Sequence, residues 1–228
     1  METRAVLIKG ARDIAPILVG VIPFGLIVGV TAVAIGLTAV QAVGLSVIVF
    51  AGAAQLAMIE LLKTGSPTLV VIATALIINA RFVMYSASLE PYFRDFSGPR
   101  RVVGAYLLTD QAFAFSINRY MDIEESPSSR FAYFLGAAST LWITWQLSTL
   151  AGALLGAGVP AAWSLDFTIP LVFVALLVPA VRDRADLIAA LTAAALAIAA
   201  AGLPFNLGLL VAAVGGIAAG VIAERRIG

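Results

Sequence analysis

Two ionisable side chains stand where a chain this apolar has least room for them. Arg81 falls inside one long apolar segment and Asp110 inside the next. A charge at a helix centre in a bilayer costs about 2.5–3.5 kcal/mol on insertion scales, so each needs a reason. Arg81 precedes the end of its segment by as many residues as Asp110 follows the start of the next. At about 1.5 Å rise per residue, both lie roughly 12 Å in from the same membrane surface. An Arg–Asp pair there neutralises both charges, with Asn79 or Thr109 adding hydrogen bonds. Such a cluster can hold a zwitterionic or anionic solute, or relay protons. The competing reading is a salt bridge that only locks two helices together. Arg81, Tyr85 and Ser88 are spaced to share one helical face and extend the polar stripe.

Three further features bear on a site. Pro23-Phe24-Gly25 lies mid-way along the first apolar segment. Proline removes a helix hydrogen bond and glycine loosens the turn, so a break is expected there, offering backbone N–H and C=O groups to a ligand. A kink absorbed by neighbouring helices is the plainer alternative. Gln55 follows the small residues Ala51 to Ala54, a setting that suits close helix packing as well as ligand binding. Glu60, Glu90 and Asp166 lie near segment ends, where solvation accounts for them.

The elements that position these residues follow from composition. Apolar residues make up 61% of the 228 positions and charged residues 12%, against about 25% charged in soluble domains. An all-α, polytopic transmembrane helix bundle is the expected fold, one membrane domain over 1–228. Eight spans are read near 14–35, 39–62, 67–89, 102–118, 131–156, 165–180, 186–201 and 204–223, with seven as the alternative. The first segment is expected to remain as a helix, since the hydrophobicity continues past it. The runs are long and rich in Ala and Leu, without the alternation of an outer-membrane barrel. No Cys and no His are present, which removes disulfides, Cys/His zinc sites and every imidazole- or thiol-dependent catalytic dyad. No P-loop, H-E-x-x-H or G-x-S-x-G occurs, no cofactor is implied, and the basic residues form no stripe suited to nucleic acid.

Basic residues precede the first span at Arg4, Lys9 and Arg12, and recur at Lys63, Arg119, Arg130, Arg182, Arg184, Arg225 and Arg226. All fall on one side if both termini are cytoplasmic, leaving Arg94, Arg100 and Arg101 outside. Phe50-Ala-Gly-Ala-Ala-Gln55 resembles Phe134-Leu-Gly-Ala-Ala-Ser139, and Pro91-Tyr-Phe-Arg-Asp95 resembles Pro179-Ala-Val-Arg-Asp183, at nearly one separation. That suggests a 3+3 inverted repeat, with repeats over 10–97 and 98–184 and a C-terminal helical hairpin over 185–228.

Four stretches in order carry a family resemblance: Pro23-Phe-Gly25, Phe50-Ala-Gly-Ala-Ala-Gln55, Asn79-Ala-Arg-Phe-Val-Met-Tyr-Ser86 with Ser88 and Pro91, and Thr109-Asp-Gln-Ala-Phe-Ala114. Over residues 10 to 220 the chain resembles AzlC, the large subunit of two-component branched-chain amino-acid exporters of bacteria and archaea. The resemblance implies export of leucine, isoleucine, valine and sometimes methionine across the cytoplasmic membrane, driven by the proton motive force. It also implies a small AzlD-type membrane subunit as partner. Gln111 stands where the family usually has an acidic residue, which puts a proton-carrying role there in doubt; Ala54 and Leu56 replace the more frequent Ser and Phe. On this reading Arg81 or broken-helix N–H groups meet the substrate carboxylate, Asp110 its ammonium, and Phe24 with neighbouring aliphatics its side chain. The other classes are a channel-like facilitator, a transporter of another small zwitterionic or anionic solute, and, further off, an intramembrane enzyme or assembly scaffold.

Overall fold

Local signals in the sequence start and stop the helices where the chain must turn. A computed structural model describes residues 3–156, 177, 181, 183–204 and 207–227; helices are its only regular elements among the described residues. Helix α1 (Thr3–Ile14) runs through a single 3-10 turn (Ala15–Ile17) into α2 (Leu18–Ala34). Gly36, at φ +93°, then turns the chain. Thr38 opens α3 (Ala39–Val49) with a full capping box: the Thr38 hydroxyl accepts from the Gln41 N–H, and the Thr38 N–H donates to Gln41 Oε1. Helix α4 (Gly52–Lys63) ends at Gly65, φ +69°, where Ser66 N–H reaches back to Leu61 O at 2.9 Å. Then follow α5 (Thr68–Asn79), α6 (Arg81–Phe93), α7 (Gly98–Tyr106), α8 (Asp110–Asp122), α9 (Pro127–Gly156), α10 (Arg184–Ala199) and α11 (Leu207–Ile227).

Two compact units divide the chain. The larger comprises α1–α3 and α6–α9. Its spine is a parallel pair: Leu7 meets Gly136, Leu26 meets Gly152 and Val30 meets Gly156, so α1–α2 and α9 run the same way. A Cβ added at Gly10, Gly29, Gly136 or Gly152 would overlap a backbone carbonyl oxygen, of Tyr133, Thr149, Leu7 and Leu26 respectively. Glycine at these positions lets the backbones touch, which is how helices associate in lipid without a hydrophobic drive. The second unit contains most of α4, together with α5, α10 and α11; within it α10 packs along α11, and α11 also meets α5. Large apolar side chains face outward in both, among them Val19, Ile48, Val83, Leu147, Leu69, Leu76 and Ile198. In water these would form an aggregation-prone surface; in a bilayer they are the lipid-facing side.

Three stretches, Thr3–Ala34, Thr68–Phe93 and Leu207–Arg226, are long and apolar enough to cross a membrane. Helix α9 is 30 residues long, about 45 Å at the usual rise, but its polar Gln146, Ser148 and Thr149 turn inward. Spans read as single helices at 39–62 and 102–118 are each two helices, interrupted at residues 50–51 and 107–109. The sixth expected span, 165–180, lies almost wholly outside the described residues, as does the Pro179–Asp183 half of one repeat match apart from Val181 and Asp183. Phe50–Gln55 straddles a break, whereas Phe134–Ser139 lies inside the uninterrupted α9.

The break expected at Pro23–Gly25 is not made. Helix α2 runs through Pro23 without interruption. Pro23 and Val19, whose carbonyl loses its helical partner, both lie on the outer surface, so the missing bond costs little packing. Gly25 serves contact instead: a Cβ there would press on Ser148 Cβ at 2.7 Å.

Candidate functional site

Helix α8 begins inside the larger unit, and its first turn builds the site. Thr109, in extended conformation, is the N-cap; its hydroxyl accepts from the Ala112 N–H at 3.2 Å. Asp110 follows in the first turn, where the partial positive charge of a helix N-terminus favours a carboxylate. Asp110 Oδ2 lies 3.2 Å from an Arg81 guanidinium nitrogen, and Oδ1 accepts from the Tyr85 hydroxyl at 2.8 Å. The Tyr85 ring stacks on Phe113, centroids 4.4 Å apart, which fixes the phenol against α8. Arg81 also lies over the Phe82 ring at 5.2 Å. Its Nε is buried with no hydrogen-bond partner among the described residues. The guanidinium therefore has donor capacity left after Asp110 is matched.

The other predicted residues divide. Arg81, Tyr85 and Asp110 come together; Tyr85, not Asn79 or Thr109, supplies the extra hydrogen bond, because Thr109 is spent on its own helix. Ser88 shares the face of Tyr85 but donates to Met84 O at 3.0 Å, a bond within its helix. Asn79 ends α5, and its Oδ1 is buried without a hydrogen-bond partner among the described residues. Gln55 is fully buried in α4. Gln111 is half-buried in the first turn of α8. Phe24 packs edge-on against Trp145, centroids 5.2 Å apart.

A second polar region, at the end of α3, escaped the sequence reading. Phe50 has φ 33° and ψ 48° and is the single non-glycine residue with positive φ among the described residues. Left-handed backbone on a bulky residue costs about 1–3 kcal/mol and persists only when its surroundings impose it. Here they do. Phe50 N–H bonds Ser46 O, the Tyr106 hydroxyl donates to Val47 O at 2.8 Å, and Gln146 Nε2 reaches Ser46 O at 3.4 Å. Trp142 Nε1–H in turn donates to Tyr106 Oη at 2.9 Å. The two breaks thus communicate through Tyr106, the last residue of α7. Sequence offered one usable signal, the polar Gln146 beside Trp142 and Trp145 in an apolar span; nothing about Phe50 marks it.

Between α6 and α7 lies a cavity of about 210 Å³, lined by Ser86, Leu89, Glu90, Phe93, Arg101 and Leu108 among others. It extends from Arg94, at the end of α6, and Arg101, in the first turn of α7, to Leu108, in the interruption before Asp110. At the other end of α8, Arg119 pairs with Glu125 in a nearly buried salt bridge and stacks on Tyr133 at 4.5 Å. Tyr133 donates to Asp13 at 2.9 Å, and Asp13 pairs with Lys9 at 3.0 Å.

A sequence profile described as AzlC protein matches residues 16–159. The chain belongs to the AzlC family. Inner membrane protein YgaZ of Escherichia coli is 26% identical over 189 residues, 80% of this chain and 76% of that protein. A membrane protein of Archaeoglobus fulgidus is 30% identical over 186 residues, covering 81% of this chain and 80% of its own length. A Helicobacter pylori membrane protein is 28% identical over 153 residues, 65% of each. No solved structure matches. The AzlC match contains both breaks and every candidate residue from Pro23 to Gln111. This AzlC chain is a membrane protein, and its polar groups cluster at helix interruptions.

Proposed function

We propose that the protein is a secondary transporter exporting branched-chain amino acids, with methionine as a further candidate, across the cytoplasmic membrane of a prokaryote. The proton motive force drives it, both termini are cytoplasmic, and a small AzlD-type membrane subunit completes it. The observation that carries this reading is the Arg81–Asp110–Tyr85 cluster at a helix interruption in an AzlC-family membrane protein. Intramembrane ionisable groups mark solute or proton pathways by default, and interrupted helices are where secondary transporters bind. Arg81, with its unpaired Nε, suits a carboxylate; Phe113, stacked on Tyr85, suits an apolar side chain, and Phe24, packed on Trp145, is the further apolar wall we propose.

The test is leucine efflux from loaded cells lacking their own exporters, expressing this chain with and without the small subunit. Efflux that needs both chains and collapses with a protonophore supports the reading. Counterflow separates a carrier from a channel-like facilitator, because only a carrier is stimulated by solute on the far side. If both proteins reach the membrane and neither leucine, isoleucine, valine nor methionine leaves faster than in control cells, the substrate assignment is wrong. Another small zwitterionic or anionic solute then takes its place.

A further inference from the structure

The carbonyl end of α3 holds oxygen atoms that the fold leaves unsatisfied. Ser46 is fully buried, and its Oγ has no hydrogen-bond partner among the described residues. Gln146 is 9% exposed, and its Oε1 is likewise unpartnered. The amide's one contact here, Nε2 to Ser46 O at 3.4 Å, is at the long limit of a hydrogen bond and is easily given up. Buried polar atoms are almost always paired, so a cluster of exceptions at one point calls for an occupant.

Its charge follows from what surrounds it. Helix α3 terminates here and presents the negative end of its dipole, with Ser46 O keeping its bond from Phe50 N–H and a second lone pair toward Gln146. The unpaired atoms are oxygens with lone pairs, and neither Ser46 nor Gln146 has a basic hydrogen-bond partner among the described residues. Aromatic rings gather round the same break: Phe50 lies 6.4 Å from Tyr106, Trp142 bonds Tyr106, and Trp145 touches the Gly52 position. The oxygens at hand are neutral, which suits a singly charged guest; hard divalent ions require carboxylates.

We infer that the interruption after α3 is a seat for a small monovalent cation. Ser46 O and Oγ hold it together with Gln146 Oε1, which faces it once the amide turns. On the exporter reading, on which the occupant's identity rests, the guest is the ammonium group of the transported amino acid. Asp110, which meets Arg81 and Tyr85 through one oxygen each, is the competing acceptor for that ammonium. An alkali ion shares the chemistry and is the other source of the charge.

Tryptophan fluorescence of the full chain in lipid nanodiscs reads the seat, because Trp142 and Trp145 flank it. Leucine, 3-methylbutylamine (the cation without the carboxylate), 4-methylpentanoate (the reverse), and sodium against choline chloride are titrated in turn. Leucine and the amine are expected to shift the emission, and the carboxylate alone to leave it unchanged. Gln146→Leu and Ser46→Ala weaken the amine at least tenfold and severalfold, while Gln146→Glu, placing a carboxylate at the seat, tightens it at least tenfold. A sodium response in place of the amine response supports the seat with an alkali ion as occupant. If neither amine nor sodium moves the signal, or if the well-folded Gln146 and Ser46 variants keep wild-type affinities, the seat is overturned. Leucine binding that survives those variants removes the seat and leaves the exporter; amine or sodium binding without any leucine binding removes the exporter and leaves the seat.

Discussion

Replacing Asp110 by Asn keeps the side chain's shape and removes its charge, and so isolates what the Arg81 pair does. At 3.2 Å the gross attraction is about 5 kcal/mol for an effective dielectric of about 20. The two side chains are 33% and 38% exposed, so screening and ordering reduce this well below the gross figure. A net coupling of about 1–2 kcal/mol results, above the ~0–1 of a surface pair and below the ~3–5 lost when a buried pair is broken. A double-mutant cycle with Arg81→Gln measures it directly. Each single variant is expected to melt lower, by about 2–4 °C per kcal/mol at this chain length. The double variant is electrically neutral and recovers most of that loss. Export separates the two roles: if Arg81 holds the solute's carboxylate, the stable double variant still exports leucine at least tenfold more slowly. A double variant restored in both melting temperature and efflux would make the pair a structural lock. Single variants that fold and export normally would refute the site altogether.

Three further perturbations test the frame around it. Gly29→Leu or Gly152→Leu forces side-chain atoms into the α2–α9 backbone contact, and loss of the monodisperse peak on size exclusion is expected. Gly20→Leu and Gly44→Leu, where an added Cβ meets nothing within 4 Å, leave the peak intact. Thr109→Val removes the α8 cap and lowers stability by about 1 kcal/mol, while Thr109→Ser restores it; thermal melts of purified protein decide. Glu125→Gln leaves Arg119, 8% exposed, without its counter-charge. A loss of about 3–5 kcal/mol follows for a broken buried pair, read as a fall in yield and melting temperature that Arg119→Met in the same chain partly reverses.

The chain's own residues were enough to settle the helical membrane class, because 61% apolar composition in long runs has few other solutions. They also suggested that Arg81 and Asp110 meet, which they do at 3.2 Å, although the count assumed one continuous helix where the chain is interrupted at 107–109. Thr109 followed by Asp110 was a legible helix start, although the apolar Val102–Leu108 run masked it as mid-span. The interruptions themselves belonged to the tertiary structure. Pro23, the strongest local breaker, is carried within α2, because its ring and the carbonyl it frees lie at the outer surface and Gly25 is needed against α9. Phe50, with no local reason to break, does so where Tyr106, distant in sequence, takes the Val47 carbonyl that a continuous helix would have used, and Gln146 adds a contact to Ser46 O beside its helical bond from Phe50 N–H. Hydropathy measures how a residue partitions between water and lipid. Which backbone groups find partners across the bundle is set by helices that only packing brings together.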